Sequence, residues 1–236
     1  KIKRKDGGCM LISEIFDSID GEGIRAGKLC TFIRVFGCNL RCSYCDSMYA
    51  VDAKYSDVAP REMGINQILS YVNRDYRRVT VTGGEPLLFP ETVKLVNRLC
   101  EMDFEVNIET NGACDIVAFR EMIEYKENLF FTVDFKLPSS NEMYKMRLSN
   151  FENLEKKDVL KLVIGSQEDL EVAMGFAHDL VEKYGDDAPH IFVGTVFGSF
   201  ELKDAIDAFM KDPLLKDVQF QIQMHKVIWD PEMRGV

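Results

Sequence analysis

The sequence predicts an α/β fold with a parallel sheet, and two observations point to it. Short runs rich in β-branched and aromatic residues recur along the 236 positions, and most are separated by stretches of helical periodicity. βαβ units produce that alternation. No internal repeat, low-complexity linker or proline-rich hinge interrupts it, so a single domain over 1–236 is expected. About six βα units fall short of the eight that close a TIM-type barrel. The expected architecture is therefore a partial, open barrel with its chemistry at the C-terminal ends of the strands.

Taken in order, the strand candidates are LCTFIRVF at 29–36, RVTVTG at 78–83, FEVNIE at 104–109, LFFTVDF at 129–135, VLKLVIG at 159–165, HIFVGTV at 190–196 and VQFQIQ at 218–223. The helix-period segments are INQILSYVNRDY at 65–76, TVKLVNRLCEM at 92–102, DIVAFREMIEYK at 115–126, DLEVAMGFAHDLVEKY at 169–184 and LKDAIDAFMKD at 202–212. The chain is 46% hydrophobic, enough apolar content for one sizeable core.

Lys plus Arg number 29 against 39 Asp plus Glu, a net charge of −10. That balance disfavours nucleic acid or an anionic membrane as partner and leaves a small molecule as the expected substrate. The start KIKRKDGGCM carries positive charge without an apolar stretch behind it, and no later run approaches the roughly 20 apolar residues of a membrane helix. A soluble cytoplasmic protein is expected. Three of the seven cysteines crowd into positions 38–45, a poor disulfide framework but a good metal loop.

That loop reads Cys38-Asn-Leu-Arg-Cys42-Ser-Tyr-Cys45-Asp46, directly after the first predicted strand and Gly37. Three thiolates ligate three irons of a [4Fe–4S] cubane and leave the fourth iron without a protein ligand. The amino and carboxylate groups of S-adenosylmethionine (SAM) can chelate that open iron, and an electron from the reduced cluster then breaks the C5′–S bond. A structural zinc site wants four ligands, usually as two separated pairs, and there is no second CxxC. Thr82-Gly83-Gly84-Glu85-Pro86 ends the next predicted strand, where paired glycines allow close backbone approach and Glu85 can accept hydrogen bonds from an ammonium group. By itself that stretch is also an ordinary turn.

These motifs resemble the radical SAM superfamily. Further stretches narrow the likeness: Phe16 to Gly23, Phe32-Ile-Arg34, Gly37-Cys38-Asn39, Cys45-Asp46-Ser47, Asp134-Phe-Lys136-Leu-Pro-Ser-Ser140 and Gln223-Met-His225-Lys-Val-Ile-Trp229 through Val236 resemble the 7-carboxy-7-deazaguanine synthase family. The likeness runs from about Leu11 to the end. Positions 1–8 have no counterpart and read as a disordered or expression-derived start. The resemblance implies a SAM-dependent ring contraction of 6-carboxy-5,6,7,8-tetrahydropterin with loss of ammonia, on the route to queuosine and related 7-deazapurines. It also implies Mg2+, return of SAM after turnover, a flavodoxin- or ferredoxin-type reductant and a homodimer.

Carried over by residue, the resemblance implies substrate contacts from Ile19, Asp20, Gly21, Arg34, Thr82, Glu109, His225 and the carboxylate of Val236. Arg34 is the expected partner of the substrate carboxylate, since a guanidinium can donate two parallel hydrogen bonds. Tyr44 and Asp46 are expected at adenine and ribose, Gly84 and Glu85 at the SAM amino group, and Asp134, Phe135 and Lys136 at the ribose. Ser47 stands where the family has a threonine on Mg2+, and Tyr44 where a tryptophan is usual. His178 and His190 read as structural, and Cys9, Cys30, Cys100 and Cys114 as thiols without a cluster role.

Two rivals remain at this level. A glycyl-radical activase shares the cluster loop and the Asp20 to Arg25 stretch, but commonly carries proline where this chain has Glu22. A noncatalytic iron–sulfur or zinc module would lack the GGEP turn and would not cleave SAM.

Overall fold

The computed structural model describes residues 8–236, so the expectation for the start of the chain lies, Gly8 apart, outside the described residues. Among those residues one sheet of nine strands forms: β1 (Cys9–Ile19), β2 (Leu29–Val35), β3 (Arg61–Gly64), β4 (Arg78–Gly83), β5 (Glu105–Thr110), β6 (Leu129–Phe135), β7 (Val159–Ile164), β8 (His190–Thr195) and β9 (Gln219–Phe220). The helices are α1 (Ile65–Leu69), α2 (Pro90–Glu101), α3 (Ile116–Glu121), α4 (Leu148–Phe151), α5 (Gln167–Tyr184), α6 (Leu202–Phe209) and α7 (Met224–Ile228).

The order across the sheet is β3-β1-β2-β4-β5-β6-β7-β8-β9, parallel from β2 to β9 and open at both edges. All seven strand candidates form, and with them the expected open α/β architecture. β1 and β3 were not anticipated, and they add an antiparallel edge. β1 mixes apolar and polar residues without a period of two, and β3 is only four residues, REMG, with a single apolar side chain. The cysteine loop therefore follows the first parallel strand, β2, rather than the first strand of the chain. α1 also stops early: the Ser70 hydroxyl donates to the Gln67 carbonyl at 2.7 Å, and Asn73 turns the chain by accepting from Asp75 N–H at 3.0 Å.

A period of two along the parallel strands sorts their side chains onto two faces. Val79 and Val81 of β4, Val106 and Ile108 of β5, Phe131 and Val133 of β6 and Leu160 and Leu162 of β7 join one apolar core. That core also takes Leu95, Val96 and Leu99 of α2 and Leu170, Ala173 and Ala177 of α5. The alternate positions are mostly polar: Thr82, Glu109, Thr132, Asp134 and Lys161 line a cavity on the inner side.

Loops draw the open side of the barrel together. Gly23 N–H donates to Gln221 Oε1 at 2.8 Å, and Met224 N–H donates to the Gly21 carbonyl at 3.3 Å. The turn after β1 is thereby fixed against the segment after β9, across the gap that a complete barrel would fill with strands.

Candidate active site

The cysteine loop is braced by its neighbours as well as by its own hydrogen bonds, such as Cys45 N–H to the Cys42 carbonyl at 3.3 Å. Gly37 N–H donates to the Ala50 carbonyl at 2.7 Å, Arg41 N–H to Glu142 Oε1 at 2.5 Å and Ser43 N–H to the Ser140 carbonyl at 3.1 Å. Ser139 N–H in turn donates to Asp169 Oδ1 at 2.8 Å, so the segment after β6 and the start of α5 brace the loop. Cys38, Cys42 and Cys45 all line the cavity. Burial raises the Cys38 thiol above its ordinary range and pushes Cys42 up to about 11, with Lys136 opposing the shift at Cys42. Among the described residues, no three His, Cys, Asp or Glu side chains close on one point as a single ion requires. A cubane gives each thiolate its own iron, so it does not need the three sulfurs to meet at one point.

The paired glycines serve this loop. A Cβ on Gly83, whose φ is +129°, would lie 2.3 Å from the Val35 carbonyl oxygen, and one on Gly84 would lie 2.1 Å from that of Gly37. Gly84 N–H donates to Val35 at 3.1 Å and Glu85 N–H to Gly37 at 2.9 Å. The end of β4 thus lies backbone against backbone along the start of the cysteine loop, which only glycine permits.

The cavity holds about 620 Å³, within the usual range for a small-molecule site. Its walls include Asp134 and Lys136, paired at 2.6 Å, with the Lys136 ammonium 6.0 Å from the Tyr44 ring centre. Burial alone would lower the Lys136 ammonium, but Asp134, Cys42 and Tyr44 outweigh it and raise its pKa. Asp134 Oδ1 and the Tyr44 hydroxyl are buried without a hydrogen-bond partner among the described residues. Buried polar atoms are rarely left so, and three thiols beside two such atoms fit a cluster with a polar ligand stacked next to it.

The pattern of the Radical SAM superfamily matches residues 32–170. Over the full length, 7-carboxy-7-deazaguanine synthase from Clostridium acetobutylicum is 42% identical across 230 residues, 95% of this chain and 98% of that one. The chain belongs to the 7-carboxy-7-deazaguanine synthase family. The synthase from Chlorobaculum tepidum is 35% identical across 231 residues, 95% of this chain and 96% of that one. In fold, the chain is similar to the crystal structure of QueE from Escherichia coli, with a TM-score of 0.67 over 92% of this chain and 95% of that one, at 23% identity.

As a member of the 7-carboxy-7-deazaguanine synthase family, the chain has a [4Fe–4S] cluster and SAM as its cofactors, and most expected site residues meet in the one cavity. Ile19, Gly21, Arg34, Thr82 and Glu109 line it, as do Tyr44, Asp46, Ser47 and Gly84. His225 and Val236 close it from the C-terminal segment. Thr82 Oγ1 donates to Glu109 Oε2 at 2.7 Å, and Ser47 Oγ donates to Asp46 Oδ1 at 3.2 Å. Gly21 packs closely on His225, whose Nδ1 would stand 3.3 Å from a Cβ at that position.

Three expectations are corrected. The Asp20 side chain turns away from the cavity, pairing with Arg25 Nε at 2.7 Å and accepting from Thr80 Oγ1 at 2.9 Å. Glu85 is fully buried and its carboxylate is already engaged, accepting from Leu87 N–H at 3.0 Å, Thr110 Oγ1 at 2.8 Å and Asn111 N–H at 2.7 Å. It braces the turn, with no part of its side chain exposed. Phe135 falls between Asp134 and Lys136 on the opposite face of β6, stacked on Phe176 with ring centres 4.1 Å apart.

Other cavity residues went unread. Glu14 on β1 accepts from Arg34 Nε and from the Tyr49 hydroxyl, each at 2.7 Å. Lys161 on β7 pairs with Glu22 at 2.5 Å, and Lys226 with Asp46 at 3.3 Å. Phe16 and Phe32 stack at 5.0 Å and give the cavity a flat apolar wall. Lys161 had a signal, a lone charge inside the apolar run VLKLVI. Glu14 had none, because β1 itself was not recognised.

Proposed function

We propose that the chain converts 6-carboxy-5,6,7,8-tetrahydropterin to 7-carboxy-7-deazaguanine, the product in the names of its relatives, with release of ammonia. The observation that carries this reading is one cavity combining three cysteine thiols with the Arg34 guanidinium, the Glu109 carboxylate and an aromatic wall. Substrate and product differ by NH3 alone, so the reaction is redox-neutral and SAM is returned. When bound, the cluster and SAM supply a one-electron cleavage of the C5′–S bond and a radical able to take a substrate hydrogen atom.

The protein's own part is placement. Cys38, Cys42 and Cys45 would hold the cluster, Gly84 would meet the SAM amino group, and Tyr44, Asp46, Asp134 and Lys136 would take the adenosine. The two unpartnered atoms, Asp134 Oδ1 and the Tyr44 hydroxyl, are the sites where adenosine hydroxyls or ring nitrogens complete their hydrogen bonding. Arg34, with Nε already donated to Glu14, offers its Nη groups to the substrate carboxylate. Glu109 suits the N–H edge of a pterin, and Ile19, Gly21, Thr82, His225 and Val236 complete the enclosure. Ser47 Oγ would be a hard oxygen ligand for Mg2+, whose charge would favour a substrate that carries a carboxylate.

The same reading takes the chain as a single cytoplasmic domain that receives electrons from a flavodoxin- or ferredoxin-type carrier. No helix among the described residues is long and apolar enough to cross a membrane. It also takes the enzyme as a homodimer, and exposed Ile222, Val227, Ile228 and Met233 give a second copy an apolar surface to cover. Anaerobic incubation of the reconstituted protein with the carboxytetrahydropterin, SAM, Mg2+ and dithionite tests the proposal. Product and ammonia in equal amounts, with SAM undiminished, are expected. SAM cleavage that leaves the pterin untouched would discard the substrate, and no SAM cleavage at all would discard the chemistry.

A further inference from the structure

Cys38 differs from the other two loop cysteines in its surroundings. The Asn111 carboxamide, just past β5, donates from Nδ2 to Cys38 Sγ at 3.5 Å and to Asn39 Oδ1 at 2.8 Å. Leu40 N–H donates to the same sulfur at 3.4 Å. No side-chain amide donates to Cys42 or Cys45 among the described residues. Asn111 is buried and fixed on every side: its own N–H is held by Glu85 Oε2 at 2.7 Å, and its Oδ1 accepts from Ala113 N–H at 3.0 Å. With Oδ1 taken by a backbone donor, Nδ2 is left facing the sulfur.

We infer that Asn111 tunes the reduction potential of the cluster through its hydrogen bond to Cys38, with Glu85 as the positioning residue that aims it. This rests on the reading of Cys38 as a cluster ligand. Reduction adds one electron to the cluster, supplied by a one-electron carrier that is oxidised in the same step, and part of the added charge spreads onto the thiolate sulfurs. A donor on a sulfur stabilises the more negative, reduced state and raises the potential, one of the protein's principal means of setting it. Glu85 accordingly acts on the cluster at one remove: it fixes the end of β5, and β5 presents the amide.

The test is an EPR-monitored redox titration of reconstituted wild type, Asn111→Leu and Asn111→Asp, with iron content measured for each. At the solution potential where the wild-type cluster is half reduced, the Leu protein should show about a tenfold lower ratio of reduced to oxidised cluster, a midpoint about 59 mV lower for one electron. Asn111→Asp keeps the acceptor for Ala113 but replaces the donor with a negative charge, so its midpoint should fall further. Unchanged or raised midpoints in both variants would overturn the inference. So would loss of iron from both, because Asn111 would then be needed to build the loop rather than to tune it. A wild-type protein that assembles no cluster would instead overturn the underlying assignment of Cys38, so the two failures are distinguishable.

Discussion

Arg25 at the floor of the barrel and Lys136 at its mouth are both buried cations paired with an aspartate, but their surroundings differ in one respect. Around Arg25, near the N-terminal ends of β4 and β5, the polar groups face one another and no cavity. Its Nε lies 2.7 Å from Asp20 Oδ2, although the N–H is not aimed squarely at the oxygen, and Nη1 donates to the Glu105 carbonyl at 3.1 Å. Nη2 donates to Thr80 Oγ1 at 2.5 Å, and the Phe130 ring centre is 5.2 Å away. Around Lys136 the set is left open, with Asp134 Oδ1 and the Tyr44 hydroxyl buried and unpartnered. The same residue chemistry fixes the fold where the two unmatched atoms, Arg25 Nε and Asp20 Oδ2, face each other as an ion pair, and prepares a ligand site where the unmatched atoms belong to residues that line an open cavity.

The contrast breaks most sharply at the cysteines. Cys38→Ala, Cys42→Ala and Cys45→Ala should each abolish the cluster absorbance and SAM cleavage, because two thiolates cannot hold a three-ligand cubane. The urea midpoint of the cluster-free protein should barely move. Full iron and activity in all three variants would remove the cluster from this loop. Replacing Cys100, which is buried in the apolar core, should leave both signals in place.

At the floor the expected outcome is reversed. Arg25→Met leaves the Asp20 carboxylate buried without its cation, a change that typically destabilises by about 3–5 kcal/mol. Burial already raises the Asp20 pKa against the opposing pull of Arg25, so without Arg25 it should take up a proton more readily. Adding Asp20→Leu should recover part of the loss, a coupling that a urea-denaturation cycle measures. Additive effects of the two substitutions would show that the pair is not a unit. Iron content per folded chain should be normal throughout.

Which of these features could be read from sequence follows from how local they are. The parallel strands and the cysteine loop were legible because period and spacing are properties of adjacent residues. The resemblance implied Asp134, Phe135 and Lys136 as one block; the strand's period of two, which sets Asp134 and Lys136 on the cavity face, excludes Phe135. Asp20 and Glu85 were misplaced for a related reason. Both sit in the right segment, and only the tertiary partners, Arg25 for one and Thr110 with Asn111 for the other, show which way the side chain turns. Glu14 was out of reach because its partner Arg34 lies across an antiparallel pairing, β1 with β2, that no periodicity announced.

Arg34 gives a sharper view of the mouth. If its Nη groups meet the substrate carboxylate, Arg34→Ala should weaken binding of the carboxypterin by about 2–5 kcal/mol, roughly 30- to several-thousand-fold. Uncoupled SAM cleavage should survive, since the cluster and the Asp134 to Lys136 segment are untouched. A pterin without the carboxylate should bind both proteins alike. Equal calorimetric affinity of the two proteins for the carboxypterin would reduce Arg34 to the structural partner of Glu14 and Tyr49.

His225 carries the smallest expected effect and separates floor from mouth by pH. Burial holds its imidazole below the ordinary 6.5, the cations Lys226 and Lys161 push the same way, and Glu22 and Asp46 oppose them. In the unfolded chain the group titrates near 6.5, so between that value and the lower folded one the unfolded state binds more protons. Stability therefore rises with pH across that window: the contribution is complete above about 6.5 and is lost as the pH falls toward the folded value. His225→Gln removes the titrating group and should flatten this part of the curve, leaving stability above neutral pH little changed. Urea midpoints at pH 7.5 and pH 5.5 for both proteins measure it, and an equal pH slope in the variant would place the responsible proton elsewhere. Protonation would charge the ring that packs against Gly21 where the C-terminal segment lines the cavity, and burial opposes it.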